Sequence, residues 1–150
     1  MAPGSSSAQA LPGWFNYAGI MGFAGAVFSM DGPIVYRRKP CPTLLLHGTA
    51  DRIVPYGKIT VFRNQFAGSD ALAEKMAITG ANYQILRFKD AGHEISISML
   101  RNVPEELRFL EENVIKRTNR TVDALVEDSG IPDVGWSHIG FRRLYQQPPK

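Results

Sequence analysis

Apolar residues occur along this chain in short runs that predict the strands of one sheet. A continuous apolar run at 43–47 is typical of a parallel strand that is covered on both faces. The segment 83–88 predicts a second strand of the same kind. A glycine-rich apolar segment at 15–28 predicts a third strand, centred near 18–23, whose glycines allow neighbours to approach closely.

Helical spacing appears between and after these strands. Apolar residues at 59, 62 and 66 predict a helix over 56–66. Ser69 is the predicted N-cap of a second helix that ends at Gly80. Asn102 is the predicted N-cap of a third helix, which ends near Arg117. The residues predicted to face the core are Leu72, Met76 and Ile78 on the second helix and Leu107, Leu110 and Val114 on the third.

The order of these elements predicts an α/β fold. Strands that alternate with helices favour a parallel sheet with helices on both faces. Residues 1–12 are small, polar and rich in proline, so we predict a flexible arm, followed by a domain over 13–118. Residues 119–150 do not continue the alternation, although Trp136, Phe141 and Tyr145 make them too apolar for a plain disordered tail.

Composition and charge exclude several classes of protein. The chain has 44% hydrophobic and 21% charged residues and a net charge of +3, which is ordinary for a globular domain. Basic clusters such as 37–39 are typical of a solvated face, so we predict no nucleic-acid partner. We predict no membrane span, because no run of about eighteen apolar residues occurs. The start of the chain does not resemble a signal peptide, and the single cysteine, Cys41, cannot form an internal disulfide.

Two short segments carry the candidate chemistry. After the run 43–47, Gly48 permits a tight turn that presents Asp51. After the strand 83–88, a loop presents His93. The carboxyl ends of parallel strands meet at one edge of a sheet, so we expect a carboxylate oxygen about 2.6–3.2 Å from an imidazole nitrogen. An acid that orients an imidazole and an imidazole that moves a proton are two members of a nucleophilic triad.

Asp51 also has a simpler interpretation. An isolated aspartate in a turn usually hydrogen-bonds only its own backbone. The complete pattern His-Gly-x-x-Asp-x-x-Val-Pro after an apolar strand is much more specific, and it favours the catalytic interpretation when His93 is considered with it.

No catalytic role is predicted for the remaining histidines. His47 ends the buried strand and is predicted to be a satisfied core residue rather than a second group of the site. His138 lies in the unplaced tail and is predicted to be structural or exposed. A metal site is not favoured, because the spacing of its candidate ligands matches no H-E-x-x-H-like pattern. Those candidates are His47, Asp51, His93 and Glu94. No cofactor is predicted.

The third member of a triad would be a serine in G-x-S-x-G, on a turn fed by a buried strand. Ser6 has a loose match around it, but too few residues precede it to form that strand. Ser29, Ser96 and Ser98 lack the framing glycines. Cys41 precedes a strand and therefore lies at the wrong end of the sheet. We predict no nucleophile within this chain.

About two-thirds of the chain, from residue 15 to residue 116, resembles the carboxyl-terminal part of α/β-hydrolase-fold esterases and lipases, most of all the bacterial carboxylesterases. Residues 17–26 are similar to that family's sixth strand, 44–55 to its seventh strand with the acid turn, and 91–94 to its histidine loop. The resemblance implies a partial α/β-hydrolase fold with about three parallel strands, the sixth to the eighth, and flanking helices. It also implies that Asp51 is the triad acid and His93 the triad base, and that the first five strands, the oxyanion loop and the nucleophile elbow are not here.

Two hypotheses for the function follow. In the first, the chain is part of a serine ester hydrolase that acts on a small ester, and it is inactive alone because it lacks the serine. In the second, it is a non-catalytic fragment or binding module that retains the end of the hydrolase fold. The residues do not separate an esterase from a peptidase, because that choice depends on loops outside the pattern. An orphaned sheet edge also predicts self-association.

Overall fold

The computed structural model describes residues 12–132 of the chain. The predictions for Ser6, His138, Trp136, Phe141 and Tyr145 lie outside these residues. In chain order the elements are β1 (Ile20–Phe23), β2 (Ala26–Ser29), β3 (Thr43–Gly48), β4 (Lys58–Val61), β5 (Asn64–Gly68), α1 (Ser69–Ile78), β6 (Tyr83–Phe88), 3₁₀ turns at His93–Ile97 and Met99–Arg101, α2 (Val103–Phe109), a π-helical segment (Leu110–Ile115) and β7 (Val122–Val126).

The core of the molecule is a parallel sheet with strand order β1-β3-β6-β7. Side chains alternate between its faces, as the pleat of a strand requires. Leu45 and Ile85 pack on one face against α1. Leu46 and Phe88 pack on the other face with Phe109 of α2. The predicted α/β class, with a parallel sheet covered on both faces, is confirmed.

The spacing of apolar residues predicted a helix over 56–66, and this prediction is wrong. The segment forms most of a β-hairpin instead. β4 and β5 pair antiparallel, and β2 joins them to form a second, three-stranded sheet. Ile59 and Phe66 are direct partners across the hairpin. Phe62 lies at its turn with a φ of +55° and is 97% exposed. The spacing of these three residues therefore reflects a hairpin rather than one face of a helix.

β7 adds a fourth strand to the three that were predicted. It pairs with β6 in the register Leu86↔Ala124, within residues for which the sequence showed no continuing rhythm. The strand alternates between half-buried and exposed residues, because it lies at the edge of the sheet. Its exposed Asp123 pairs with Arg87 of β6.

The helices differ from the predictions in where α1 begins and in which side chains are buried. Ser69 is the first residue of α1, whose N-cap is Gly68, and Ile78 is 86% exposed rather than inward. Gly80 ends that helix as predicted, with a φ of +62°. In the last helix Leu107 is 59% exposed, and the fully buried side chains are Phe109 and Asn113.

The register of the sheet places the candidate residues at one edge. Gly48, at the end of β3, is paired with Phe88, at the end of β6. The turn with Asp51 and the loop with His93 therefore both begin at the carboxyl edge of adjacent strands. Within residues 12–132, no helix combines the length and the apolar character needed to cross a bilayer.

Candidate active site

Asp51 lies in the turn after β3, and hydrogen bonds occupy both of its carboxylate oxygens. Oδ1 accepts the backbone N–H groups of Ile53 and Val54, each at 2.9 Å. Oδ2 lies 2.9 Å from Nδ1 of His93. Oδ1 therefore makes the turn hydrogen bonds of the simpler interpretation, and Oδ2 makes the histidine contact of the catalytic interpretation.

His93 is the first residue of the 3₁₀ turn that follows β6 and its loop. Its side chain is 20% exposed, whereas the side chain of Asp51 is fully buried. An ionised carboxylate only accepts hydrogen bonds, so Nδ1 of His93 is the donor. The predicted approach of acid and imidazole is confirmed, with the distance inside the predicted range.

Burial and hydrogen bonding act on Asp51 in opposite directions. Burial raises the pKa of its carboxyl group, but hydrogen bonds outweigh that effect and bring the pKa below its ordinary value of 3.8. The donors are His47, His93 and the backbone of Val54 and Ile53. Asp51 is therefore a carboxylate at neutral pH, as the acid of a triad must be.

The acid turn and the histidine loop are joined by their backbones. Thr49 N–H donates to the carbonyl of Phe88, and Ala50 N–H to the carbonyl of Ala91, both at 2.9 Å. The hydroxyl of Thr49 accepts the N–H of Asp90 at 2.9 Å. These bonds hold the two segments in one arrangement.

His47 is fully buried and was predicted to be a satisfied core residue. Its Nδ1 lies 2.8 Å from the hydroxyl oxygen of Ser69, and its Nε2 lies 3.3 Å from the carbonyl of Val54. The same Nε2 lies 3.2 Å from Oδ2 of Asp51. His47 is satisfied, but it also contacts the candidate acid directly.

Glu94 follows His93 in sequence, and its side chain hydrogen-bonds the backbone of the histidine loop. It is buried, and its Oε1 accepts the N–H of Gly92 at 2.7 Å, which helps to shape the loop before His93. Within the described part of the chain, no group of three or more His, Cys, Asp or Glu side chains could hold a metal ion.

Tyr56 is a neighbour of the site that the sequence analysis missed. Its ring packs edge-on against His47, with 5.6 Å between ring centroids. Its hydroxyl accepts a hydrogen bond from Arg87, which also pairs with Asp70 and Asp123. The only signal was its position directly after the Val-Pro of the acid pattern, inside a segment that was assigned to a helix.

Ser69, Ser98 and Cys41 are each poorly placed to act as a nucleophile beside His93. Ser69 bonds a histidine, but it is fully buried. Ser98 is also fully buried. Cys41 lies before β3, at the amino edge of the sheet, and burial raises the pKa of its thiol.

A cleft of about 290 Å³ opens beside Asp51. It is lined by Thr49, Asp51, Arg52, Pro55, Tyr56, Gly57, Lys58 and Ile59. A larger cleft of about 690 Å³ lies at the amino edge, among residues that precede β3 and β6, such as Pro42 and Asn82. The smaller cleft lies at the carboxyl edge beside the acid turn, and His93 is not among its lining residues.

Comparison of the chain with protein-family models, with curated proteins and with solved structures gives no match. Chemically, an ionised aspartate that accepts from Nδ1 of a histidine can orient that ring and stabilise its protonated form. The opposite nitrogen, Nε2, is the atom that such a base uses to take a proton from a nucleophile.

Proposed function

We propose that this chain carries the acid and the base of a serine hydrolase that acts on carboxylic esters. The observation that carries the proposal is the 2.9 Å contact between Asp51 Oδ2 and His93 Nδ1, at the carboxyl edge of two adjacent parallel strands. Active sites in open α/β sheets lie at this edge. The choice of an ester substrate follows the resemblance of the acid turn and the histidine loop to those of carboxylesterases.

In this proposal His93 acts as general base and then as general acid. Its Nε2 takes the proton of the serine hydroxyl as the oxygen attacks the ester carbonyl, and later gives that proton to the leaving alcohol. Water then repeats the attack on the acyl-serine and releases the acid. Asp51 keeps the neutral ring in the Nδ1–H tautomer and stabilises the imidazolium while the proton is held.

In this proposal the serine comes from a longer form of the chain or from a second chain. The sheet has a place for such a segment. β1 lies at an edge of the sheet and has a strand neighbour on one side only within the described residues. A strand that pairs there would end at the same edge as Asp51 and His93 if it runs parallel to β1.

The edge of β1 also favours the alternative, a non-catalytic binding module. An exposed strand can bind an extended segment of a partner through backbone hydrogen bonds, without any chemistry. Both functions use the same edge, and they differ in whether the added segment brings a serine.

The test begins with the coding sequence upstream of Met1 and with any chain that co-purifies. We expect a G-x-S-x-G turn after a strand, upstream of Met1 and within about twenty-five residues of the segment at Phe15 in a continuous frame. The product that contains both parts is assayed with a short-chain nitrophenyl ester and labelled with a fluorophosphonate.

His93→Ala is expected to lower kcat by about 10⁴-fold, whereas the exposed control Lys89→Ala leaves it unchanged. Full activity in the His93 variant would overturn the proposal. The absence of a serine elbow from both sources would favour the binding module.

A further inference from the structure

The carboxylate of Asp51 accepts four hydrogen bonds, of which the triad interpretation uses one. Two come from the backbone to Oδ1 and one from His93 to Oδ2. The fourth comes from His47, whose Nε2 lies 3.2 Å from Oδ2. A carboxylate offers about four lone-pair sites, so Asp51 cannot rotate without breaking a bond.

The contacts of His47 determine which of its nitrogens carries the hydrogen. Nε2 faces the carbonyl of Val54 and the carboxylate of Asp51, and both of these groups only accept. Nε2 must therefore be the donor. In the neutral ring, Nδ1 is then the acceptor, and it receives the hydroxyl hydrogen of Ser69 at 2.8 Å between the heavy atoms.

Ser69 is held in place by the same turn that holds Asp51. The N–H of Gly68 donates to the carbonyl of Gly57 at 2.7 Å, and the N–H of Asp70 donates to the carbonyl of Tyr56 at 3.1 Å. A Cβ on Gly68 would overlap the backbone of Pro55 and Tyr56. The start of α1 is thus pressed against the far side of the acid turn.

Ser69, His47 and Asp51 have the composition of a triad but not its geometry. In a triad the serine faces Nε2 and the acid faces Nδ1, and here the two nitrogens are exchanged. All three side chains are buried, so the hydroxyl of Ser69 cannot meet a substrate. A buried polar group without a hydrogen-bond partner lowers the stability of the fold, so both ring nitrogens of His47 have partners.

We propose that Ser69 and His47 are positioning residues for the acid: the hydroxyl of Ser69 holds the ring of His47 through Nδ1, and His47 fixes the carboxylate of Asp51 in line with Nδ1 of His93. This inference rests on the proposed function for its catalytic meaning. Its hydrogen bonds can be tested on the chain without turnover.

The first measurement is ¹⁵N NMR of the histidine rings in the full 150-residue chain. We expect hydrogen on Nε2 of His47 and a low-field Nδ1–H signal from His93. Ser69→Ala is expected to leave the hydrogen on Nε2 of His47 and to shift the ¹⁵N signal of Nδ1, which loses its hydrogen-bond donor. Ser98→Ala is the matched control, because it removes a fully buried hydroxyl that has no hydrogen-bond partner among the described residues.

The second measurement is the titration of the Asp51 carboxyl carbon in His47→Phe and His47→Gln. Phenylalanine keeps the ring and removes the donor, so the pKa of Asp51 is expected to rise. Glutamine places an amide N–H near the position of Nε2, and it should restore part of the wild-type value. Where His47→Phe does not fold, His47→Gln and Ser69→Ala carry the test.

Several results would overturn the positioning role. One is hydrogen on Nδ1 of His47 in the wild-type chain. Others are an Asp51 titration that His47→Phe and Ser69→Ala leave unchanged, and a Ser98→Ala effect as large as that of Ser69→Ala. In a product that contains the serine, His47→Phe should lower kcat by about 10- to 100-fold with little change in KM.

The two proposals fail in different ways. A fluorophosphonate that labels Ser69 in the wild-type chain would overturn the positioning role, because it would make that serine a nucleophile. A chain that has the expected NMR signals but no hydrolase activity with any serine segment would overturn only the proposed function.

Discussion

The carbonyl oxygen of Ala91, two residues before His93, accepts a hydrogen bond from the N–H of Ala50, directly before Asp51. This 2.9 Å bond joins the acid turn to the histidine loop by backbone alone. Gly48 makes the approach feasible, because a Cβ at that position would overlap the backbone of Ala91 and Gly92. The geometry of the candidate pair thus depends on a glycine that has no chemistry of its own.

Gly48→Ala is expected to force the histidine loop away from β3. The free energy of unfolding should fall by about 1–3 kcal/mol, as for other overpacked sites, and the low-field signal of His93 should broaden or disappear. Urea unfolding and NMR measure the two effects. Gly57→Ala is the control, since a Cβ added there would meet nothing within 4 Å, and it should change stability by less than about 1 kcal/mol. A Gly48→Ala chain with wild-type stability would show that the loop adapts freely.

Arg87→Met is expected to loosen the edge strand β7. Arg87 binds Asp123 through two nitrogens, at 2.6 and 3.0 Å, and also binds Asp70 and Tyr56. Loss of these charged hydrogen bonds should cost about 1–3 kcal/mol and speed amide hydrogen exchange in β7. Lys89→Met removes the more exposed pair with Glu127, just beyond the ends of the same two strands, and should cost at most about 1 kcal/mol. Equal effects of the two changes would contradict this prediction.

Asp51→Asn is expected to change the dependence of stability on pH. Because the folded state lowers the pKa of Asp51, its ionised form stabilises the fold above its ordinary pKa of 3.8, and this contribution is lost as the pH falls through the lowered folded value. The variant should be less stable at neutral pH and should show a flatter acid limb. Unfolding measured from neutral pH to acid tests this, with the exposed, uncharged change Thr121→Ala as control. An acid limb as steep as that of wild type would contradict it.

Ile20→Lys is expected to weaken self-association. Ile20 is 47% exposed on β1, which has a strand neighbour on one side only within residues 12–132, and such an apolar strand edge favours pairing with another copy. Light scattering during size-exclusion chromatography, over a range of concentrations, should show larger species in the wild type and fewer in this variant. Ile78→Lys makes the same change on α1, where the side chain is 86% exposed but no strand edge lies, and should have little effect. A wild-type chain that is monomeric at every concentration would contradict the prediction.

Some features could be predicted because their signal is local. β3 and β6 are compact runs of buried residues, and Asp51 and His93 follow them within a few positions. Parallel strands end at a common edge, so two local patterns were enough to bring the acid and the imidazole together. Gly80 ended α1 because a left-handed residue there stops a helix whatever surrounds it.

Other features were decided by contacts between distant parts of the chain. Ile59, Phe62 and Phe66 have helical spacing, yet Ile59 pairs with Phe66 across a hairpin because β2 offers β5 a strand to join. β7 has too few buried residues to signal a strand, and it forms because β6 offers it a free edge.

The sequence by itself determined the α/β class and the pairing of Asp51 with His93. Only the tertiary structure decided that His47 contacts the carboxylate of Asp51 and that Ser69 hydrogen-bonds His47. The hydrogen bond between His47 and Ser69 joins residues 22 positions apart, and no periodicity of a single element records such a contact. Local patterns specify elements and the turns at their ends, whereas a buried polar network is specified by which elements pack together.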